Sequence, residues 1–202
     1  GGFVETSSHN VLDARGLVDA SALLGAGGRW LIDPNSITIQ TTGTDTNVST
    51  GPNFTTTNDG AIITTGSIQA ALNAGVDVTI TTGTAGANTQ PGDITVNGAI
   101  VKTAGGNATL TLSAHNNIAI NAGISSSVGT LGLTLNANSD AVGGGTATIG
   151  AAVNLNGGTL SVGSPGALTL SSSIANATLL ASTLTSGSGT LDGVTLGSNL
   201  SL

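Results

Sequence analysis

Short alternations of apolar and polar residues recur along the second half of the chain, and their starts lie 16, 8 and 15 residues apart. A period of two is typical of a β-strand that buries one face. These intervals leave no room for crossover helices, and no two-residue hairpin signal repeats between the strands. Strands so short and so close stack most simply as successive rungs of a coil. The clearest alternations are Ile94-Thr95-Val96, Leu110-Thr111-Leu112, Ile118-Ala119-Ile120 and Leu133-Thr134-Leu135.

This pattern predicts an all-β fold, a parallel β-helix or β-solenoid, that forms a single segment. We expect first rungs in residues 1–40, an irregular insertion with a short helix in residues 41–75, and regular rungs in residues 76–202. The helix is predicted by Ser67 as its N-cap and by a glycine just past its end. Neither end of the chain carries a polar cap, so we expect an excerpt of a longer protein.

Composition indicates a folded chain that is rich in turns. Glycine accounts for 32 of the 202 residues, but 38% of the residues are hydrophobic and only 6% are charged, which is unlike a disordered protein. The only aromatic residues are Phe3, Trp30 and Phe54, so we expect a core of valine, isoleucine, leucine and alanine. The absence of cysteine excludes a disulfide framework and fits several cellular compartments.

The charge balance excludes some classes of partner. The chain has a net charge of −7 and three basic residues, Arg15, Arg29 and Lys102. Nucleic acid requires a basic stripe, which these dispersed cations cannot form, so we predict no nucleic-acid partner. Anionic membrane surfaces are disfavoured for the same reason. No apolar run is long enough to span a bilayer, so we predict no membrane insertion.

Signatures of catalysis and of metal binding are lacking in the sequence. His9 and His115 are far apart, and His115 is expected at the corner of a rung. Later carboxylates, at Asp93, Asp140 and Asp192, are too dispersed to suggest acid–base or metal chemistry. We therefore predict no enzyme activity, no catalytic residue, no metal site and no cofactor. A carbohydrate-active β-helix enzyme stays open as an alternative, because polysaccharide lyases and pectin hydrolases use such coils.

Several residues are predicted to have structural roles. Trp30 would fill a wide part of the core, and Asp33 and Pro34 would end its strand, because proline has no amide hydrogen for the ladder. Four asparagines each follow directly on a strand, where their side chains can stack amide to amide from rung to rung. Not all four need occupy the same corner. They are Asn97, Asn121, Asn136 and Asn156.

Threonine occupies the middle of several apolar triplets. If the flanking residues face inward, the hydroxyl groups point outward. A flat rank of threonines would order water or contact sugars, whereas a simpler interpretation is that threonine suits any exposed strand position. The uneven spacing of the triplets favours the simpler interpretation. The residues of this predicted contact rank are Thr95, Thr111, Thr134 and Thr169.

Two motifs resemble a known family. Gly1-Gly2-Phe3-Val4-Glu5-Thr6-Ser7, followed by Trp30-Leu31-Ile32-Asp33-Pro34, resembles the paired motif of filamentous-haemagglutinin-like exoproteins of bacterial two-partner secretion. Residues 71–83 and 106–124 are similar to the next blocks of that family. The resemblance implies a right-handed parallel β-helix within the shaft of a large secreted adhesin. The family's amino-terminal secretion domain is not visible, so this segment alone would not engage the outer-membrane transporter.

The resulting hypothesis is a stiff structural shaft of a secreted or cell-surface bacterial adhesin, associated with the outer membrane, that serves attachment, aggregation or biofilm formation. The predicted partners are flanking rungs or other copies of the same protein, and cell-surface or matrix glycans. The parent chain would also meet its outer-membrane two-partner transporter. An alternative hypothesis is a subunit of an extracellular fibre that is joined end to end through open strand edges.

Overall fold

The computed structural model describes residues 3–6, 29–32, 35–86, 89–141, 144–163, 167–181, 183–186 and 188–201, with the backbone alone for the first two ranges. Eighteen β-strands and one α-helix lie within these ranges. The first elements are β1 (Phe3–Thr6), β2 (Arg29–Ile32), β3 (Ile37–Gln40), β4 (Asn53–Thr55), β5 (Ala61–Thr64), the helix α1 (Thr65–Asn73) and β6 (Val78–Thr81). The middle strands are β7 (Ile94–Val96), β8 (Ile100–Lys102), β9 (Ala108–Ser113), β10 (Ile118–Ile120), β11 (Ile124–Ser126) and β12 (Leu131–Asn136). The last are β13 (Ala147–Ile149), β14 (Val153–Val162), β15 (Ala167–Leu170), β16 (Ser173–Leu180), β17 (Thr183–Ser186) and β18 (Thr190–Leu196).

Most of these strands belong to two parallel sheets. The first sheet has seven strands in the order β17-β15-β13-β10-β7-β3-β5. The second has nine, with seven in the order β18-β16-β14-β12-β9-β6-β4, while β11 pairs with β14 and β8 pairs with β11. The strands β1 and β2 form a separate parallel pair. From β3 onward the chain passes back and forth between the two sheets, so each sheet brings together segments that are distant in sequence.

The core consists of aliphatic columns that follow from the strand register. In the first sheet, Ile118 pairs with Ile94 on one side and with Ala147 on the other, and each of these three is fully buried. In the second sheet, Leu112 pairs with Ile80 and with Leu135, which are also fully buried. Each buried aliphatic side chain contributes roughly 1.5–3 kcal/mol. The alternation in the sequence therefore determines which residues point inward.

The prediction of a right-handed parallel β-helix was wrong. A single coil adds its strands in chain order, whereas in the first sheet β3 lies between β7 and β5. Ile37 of β3 pairs with Ala61 of β5 on one side and with Ile94 of β7 on the other. The described residues form a mostly parallel arrangement of two sheets with one short helix. Alternation fixes the inward face of a strand but not its neighbours, so the sequence pattern could not reveal this order.

Residues 41–75 are not an insertion that lies across the fold. This segment contributes Phe54 of β4 and Ile63 of β5 to the core, where they are 4% and 0% exposed. Its helix is also part of the core, because Ile68 and Leu72, one turn apart, are fully buried. The predicted irregularity reflects turn residues between short elements.

The helix begins earlier than the sequence predicts. Its N-cap is Thr64, whose hydroxyl accepts a hydrogen bond from the amide of Ser67 at 3.4 Å. The prediction placed the N-cap at Ser67, three residues further along. After the helix, Gly75 has a φ of 74°, a left-handed conformation that glycine adopts without strain.

The helix takes the place of a neighbouring strand beside β8. The side-chain oxygen of Gln69 accepts a hydrogen bond from the amide of Val101 at 3.0 Å. One turn later, the side-chain oxygen of Asn73 accepts hydrogen bonds from the amides of Thr103 at 2.8 Å and Ala104 at 3.1 Å. Residues four apart lie on the same side of a helix, so two amide side chains satisfy the open edge of β8.

An edge strap, residues 44–50, covers one edge of both sheets. It forms an antiparallel bridge from Thr46 to Ile62 of β5 and another from Val48 to Thr56, directly after β4. The amides of Thr46 and Ile62 each donate to the carbonyl of the other at 2.9 Å. Strand edges with unpaired backbone groups invite pairing with other chains, and the strap occupies these groups.

Two further predictions concern the start of the chain and membrane insertion. Trp30 lies in β2, where its backbone pairs with Val4, but its side chain lies outside the described part of the structure. Asp33 and Pro34 lie outside the described residues. Within the described ranges, no helix has the length and apolar character needed to cross a bilayer.

Candidate functional site

The outward side of the second sheet carries uncharged polar side chains in aligned rows. In the central row, Thr111 pairs with Thr79 on one side and with Thr134 on the other. A second row lies two residues further along each strand and includes Thr81 and Ser113. We name these outward side chains of β4, β6, β9, β12 and β14 the hydroxyl face. Its members are Asn53, Thr55, Thr79, Thr81, Thr111, Ser113, Thr134, Asn136 and Ser161.

The geometry of the hydroxyl face follows from the sheet beneath it. Neighbouring strands lie about 4.8 Å apart, and residues two apart on one strand lie about 6.6 Å apart, so the side chains form a regular grid. The strands are held rigidly because the residues between the rows, such as Leu112 and Leu135, are fully buried. Hydroxyl and amide groups both donate and accept hydrogen bonds. The face can therefore contact polar, uncharged surfaces without a counter-ion.

The structure divides the predicted threonine rank between the two sheets. Thr111 and Thr134 are neighbours on the hydroxyl face, whereas Thr95 and Thr169 lie on the first sheet. In the first sheet, threonines also form an aligned row, which Ala119 interrupts. Further members of this row could not be recognised in the sequence, because uneven spacing along the chain conceals the register of the strands in the sheet. These further members are Thr38, Thr148 and Thr185.

The structure brings together two of the four asparagines that the sequence singled out. The side-chain amide of Asn121 donates to the side-chain oxygen of Asn97 at 3.1 Å, between adjacent strands of the first sheet. Asn136 belongs to the hydroxyl face, beside Ser113. Asn156 has a φ of 51° and donates from its side chain to the carbonyl of Gly129 at 3.0 Å. The four therefore occupy three different places.

A second line of polar side chains, not predicted from the sequence, runs along the first sheet. The hydroxyl of Ser36 accepts from the amide of Asp93 at 3.0 Å, and the carboxylate of Asp93 accepts from the amide of Asn117 at 3.0 Å. The side-chain oxygen of Asn117 in turn accepts from the amide of Thr146 at 3.0 Å. Each of these residues directly precedes a strand, and this position is the signal that could have found them. The line ties each strand to the next.

Several carboxylates also accept backbone hydrogen bonds. In each case a carboxylate oxygen lies between 2.7 and 3.1 Å from the amide nitrogen of a residue distant in sequence. Across the described ranges, no three His, Cys, Asp or Glu side chains come close enough to hold a metal ion. These carboxylates fix the starts of strands and loops. They are Asp45, Asp59, Asp77 and Asp93.

His115 is held by a buried threonine. The hydroxyl oxygen of Thr82 accepts from the backbone amide of His115 at 2.9 Å and lies 2.6 Å from the imidazole Nδ1. The hydroxyl hydrogen can then be donated to Nδ1, which favours a neutral ring with its proton on Nε2. Thr82 is only 1% exposed, so its hydroxyl is not accessible as a nucleophile. Burial lowers the pKa of His115, although the nearby charge of Asp140 acts in the opposite direction.

This environment predicts that the protein loses stability in mild acid. Because the pKa of His115 is lowered in the folded state from its ordinary 6.5, the unfolded chain binds more protons as the pH falls below that value. The free energy of unfolding, measured in urea, should therefore fall between pH 7.5 and pH 5. In a His115→Asn variant, which cannot titrate, the fall should be smaller. Equal pH dependence in both proteins would contradict this role of His115.

No model of a known protein family matches the chain, and no curated protein matches it. The resemblance to filamentous-haemagglutinin-like exoproteins therefore stays a prediction, which depends chiefly on the two motifs in residues 1–7 and 30–34. The structure pairs the parts of these motifs that it describes, since β1 and β2 run parallel with Val4 opposite Trp30.

Proposed function

We propose that the chain is a non-catalytic structural and contact segment of an exported bacterial surface protein that serves attachment. The hydroxyl face is the observation that carries this proposal. It presents aligned hydroxyl and amide groups over a rigid aliphatic core, and a surface of this kind suits contact with polar, uncharged material such as cell-surface or matrix glycans. The family resemblance supplies the expected location, at the bacterial surface.

Rigidity is the second property that supports a structural role. Aligned backbone pairs join strands from distant parts of the chain, and side chains such as Asp93 and Asn117 add hydrogen bonds between successive strands. A segment so cross-linked resists bending and holds its outward faces at fixed positions. An attachment protein requires its non-catalytic segments to provide length and a surface of fixed shape.

The two alternative functions have less support. End-to-end assembly needs open strand edges, but the strap occupies the edge of β5 and the backbone groups directly after β4. A carbohydrate-active enzyme needs converging carboxylates, whereas Asp45, Asp77 and Asp93 each accept a hydrogen bond from a different strand or loop. Screening for released reducing ends with acidic and neutral polysaccharides tests the enzymatic alternative, and turnover that an aspartate substitution abolishes would establish it.

The attachment proposal predicts that charge on the hydroxyl face weakens adhesion. A Thr111→Lys, Thr134→Lys double variant places two ammonium groups on adjacent strands of this face. For a non-adherent bacterial host that displays the chain, we expect attachment to a surface coated with neutral polysaccharide to fall roughly tenfold, as a loss of about 1.4 kcal/mol of contact energy would give. Attachment is counted by microscopy at equal surface display, which an epitope tag reports.

A matched control lies on the other sheet. Thr148 and Thr169 are also adjacent and outward-facing, but they belong to the first sheet. A Thr148→Lys, Thr169→Lys double variant should attach as the wild type does and should melt at a similar temperature. If both double variants lose attachment equally, added positive charge lowers attachment wherever it lies on the protein, and the hydroxyl face is not the contact surface.

A further inference from the structure

A groove of about 580 Å³ lies between the helix α1, the end of the edge strap and β4. This volume falls within the range of small-molecule sites, which are mostly apolar with a few placed polar groups. Phe54 forms part of the wall and is 4% exposed, while Val76 is 42% exposed at the mouth. The apolar side chains that line the groove are those of Val48, Pro52, Phe54, Ala70, Ala71 and Val76.

One carboxylate, that of Asp45, also lines this groove. One of its oxygens accepts a hydrogen bond from the amide of Thr64 at 2.7 Å, and the other accepts from the hydroxyl of Ser67 at 2.6 Å. Both donors belong to the first turn of α1 or its cap, so the helix fixes the orientation of the carboxylate. An ionised carboxylate has about four acceptor positions, so about two remain for another donor.

Asp45 is ionised at neutral pH. Burial by itself raises the pKa of this carboxyl, but the hydrogen bonds from Ser67 and Thr64 outweigh that effect and hold the pKa below its ordinary value of 3.8. Lys102 is the only lysine or arginine whose side chain the structure describes, and it donates to backbone carbonyls rather than to Asp45. The groove therefore combines an apolar wall with a fixed negative charge that has no cationic partner in the described chain.

Of the three hydroxyl groups that line the groove, those of Ser49 and Ser67 are engaged within the protein, and that of Thr50 is uncharged. The hydroxyl of Ser49 donates to the carbonyl of Asn53 at 2.9 Å and accepts from the amide of Thr55 at 2.8 Å. The hydroxyl of Ser67 donates to Asp45. The carboxylate is therefore the polar group with the greatest remaining capacity for a ligand, and the ligand that complements it carries a cation.

We propose that the groove binds a small organic cation, a primary ammonium group on an unbranched alkyl chain. The ammonium group donates a charge-assisted hydrogen bond to the open positions of the Asp45 carboxylate. The alkyl chain lies along Val48, Ala71 and Val76, where it replaces water over apolar surface. No covalent step is involved. This site is separate from the attachment proposal and does not require it.

Titration with simple probes tests the assignment. Hexylammonium, hexanol and hexanoate share the alkyl chain but differ in charge, so they isolate the contribution of the carboxylate. In ¹H–¹⁵N spectra of the whole chain, we expect hexylammonium to shift the amide signals of Val48, Ala71 and Val76. The dissociation constant should be roughly millimolar, because so small a ligand makes few contacts. Hexanol should bind at least about threefold more weakly, and hexanoate more weakly still.

Two variants separate the charge from the shape of the groove. Asp45→Asn should weaken hexylammonium binding about three- to fivefold. Asp77→Asn is the matched control, because the carboxylate of Asp77 lies outside the groove and accepts a hydrogen bond from the amide of Thr109. This variant should bind hexylammonium as the wild type does. Ala70→Leu fills the groove at a helix position that leucine favours, and it should abolish binding without loss of helix. This second variant keeps the test valid if Asp45→Asn destabilises the helix cap.

Three outcomes would overturn the assignment. The first is equal binding of hexanol and hexylammonium, which would mean that Asp45 takes no part. The second is an absence of saturable shifts at the groove residues. The third is much tighter binding of a lysine residue within a peptide than of the free amine, which would identify a protein partner as the ligand. Selective binding of the free amine that both Asp45→Asn and Ala70→Leu reduce would support the assignment.

Discussion

Replacement of Leu135 with aspartate is expected to unfold the second sheet. Leu135 is fully buried and pairs with Leu112 on one side and with Val162 on the other. Loss of a buried leucine side chain typically costs 2–5 kcal/mol, and an unpaired carboxylate in the same place adds to that cost. We expect a loss of at least about 4 kcal/mol, which exceeds much of the stability of an ordinary domain. Urea titration followed by circular dichroism measures it.

The matched control for this prediction is the preceding residue. Thr134 points outward on the hydroxyl face, so Thr134→Asp places the same charge on the same strand in contact with water. We expect its stability to lie within about 1 kcal/mol of the wild type. If Leu135→Asp and Thr134→Asp had similar stabilities, the inward and outward faces of β12 would have been assigned wrongly.

The second large effect is expected at Lys102, which has the largest fully buried side chain among those that the structure describes. Its Nζ donates to the carbonyls of Val128 at 2.6 Å, Ala104 at 2.7 Å and Gly105 at 3.4 Å. Lys102→Met keeps a similar volume but removes this donor from all three carbonyls, of which only that of Val128 has another side-chain donor in the described chain, the hydroxyl of Ser126 at 3.2 Å. Because unsatisfied buried acceptors cost about 1–3 kcal/mol each, we expect a loss of about 3 kcal/mol in urea denaturation.

Hydrogen exchange and a neighbouring variant test the cause of this loss. The two loops that follow β8 and β11 share Lys102 as a donor, so their amides should exchange faster in the variant. Val101 is adjacent but 37% exposed, and Val101→Met should cost little. A Lys102→Met protein as stable as the wild type would mean that water replaces the lysine at all three carbonyls.

The sequence predicted the positions of strands better than the relations between them. Ile94–Val96 and Ile118–Ile120 are strands with the bounds that alternation indicates. The helix was predicted three residues late, because Ser67 and Thr64 are both good N-caps and only the observed backbone distinguishes them. The order of β5, β3 and β7 could not be predicted, because Ile37 packs equally well beside Ala61 or Ile94.

The candidate sites show the same division. The sequence identified Thr111 and Thr134 as outward-facing residues, but only their register places them side by side and assigns Thr95 to the other sheet. The residues around Asp45 did not indicate that it lines the groove beside α1. Its hydrogen-bond partners, Thr64 and Ser67, lie about 20 positions further along the chain, beyond a segment of irregular sequence.

The sequence by itself determined which residues are buried and which face outward, because alternation acts within a single strand and depends only on the pleat of the backbone. The net charge of −7, which is read without a structure, predicts that nucleic acid is not a partner. The tertiary structure decided the strand order, the alignment of threonines into rows, and the meeting of an apolar wall with Asp45. These features depend on contacts between segments that are distant in the chain, and their energies are similar for several possible neighbours.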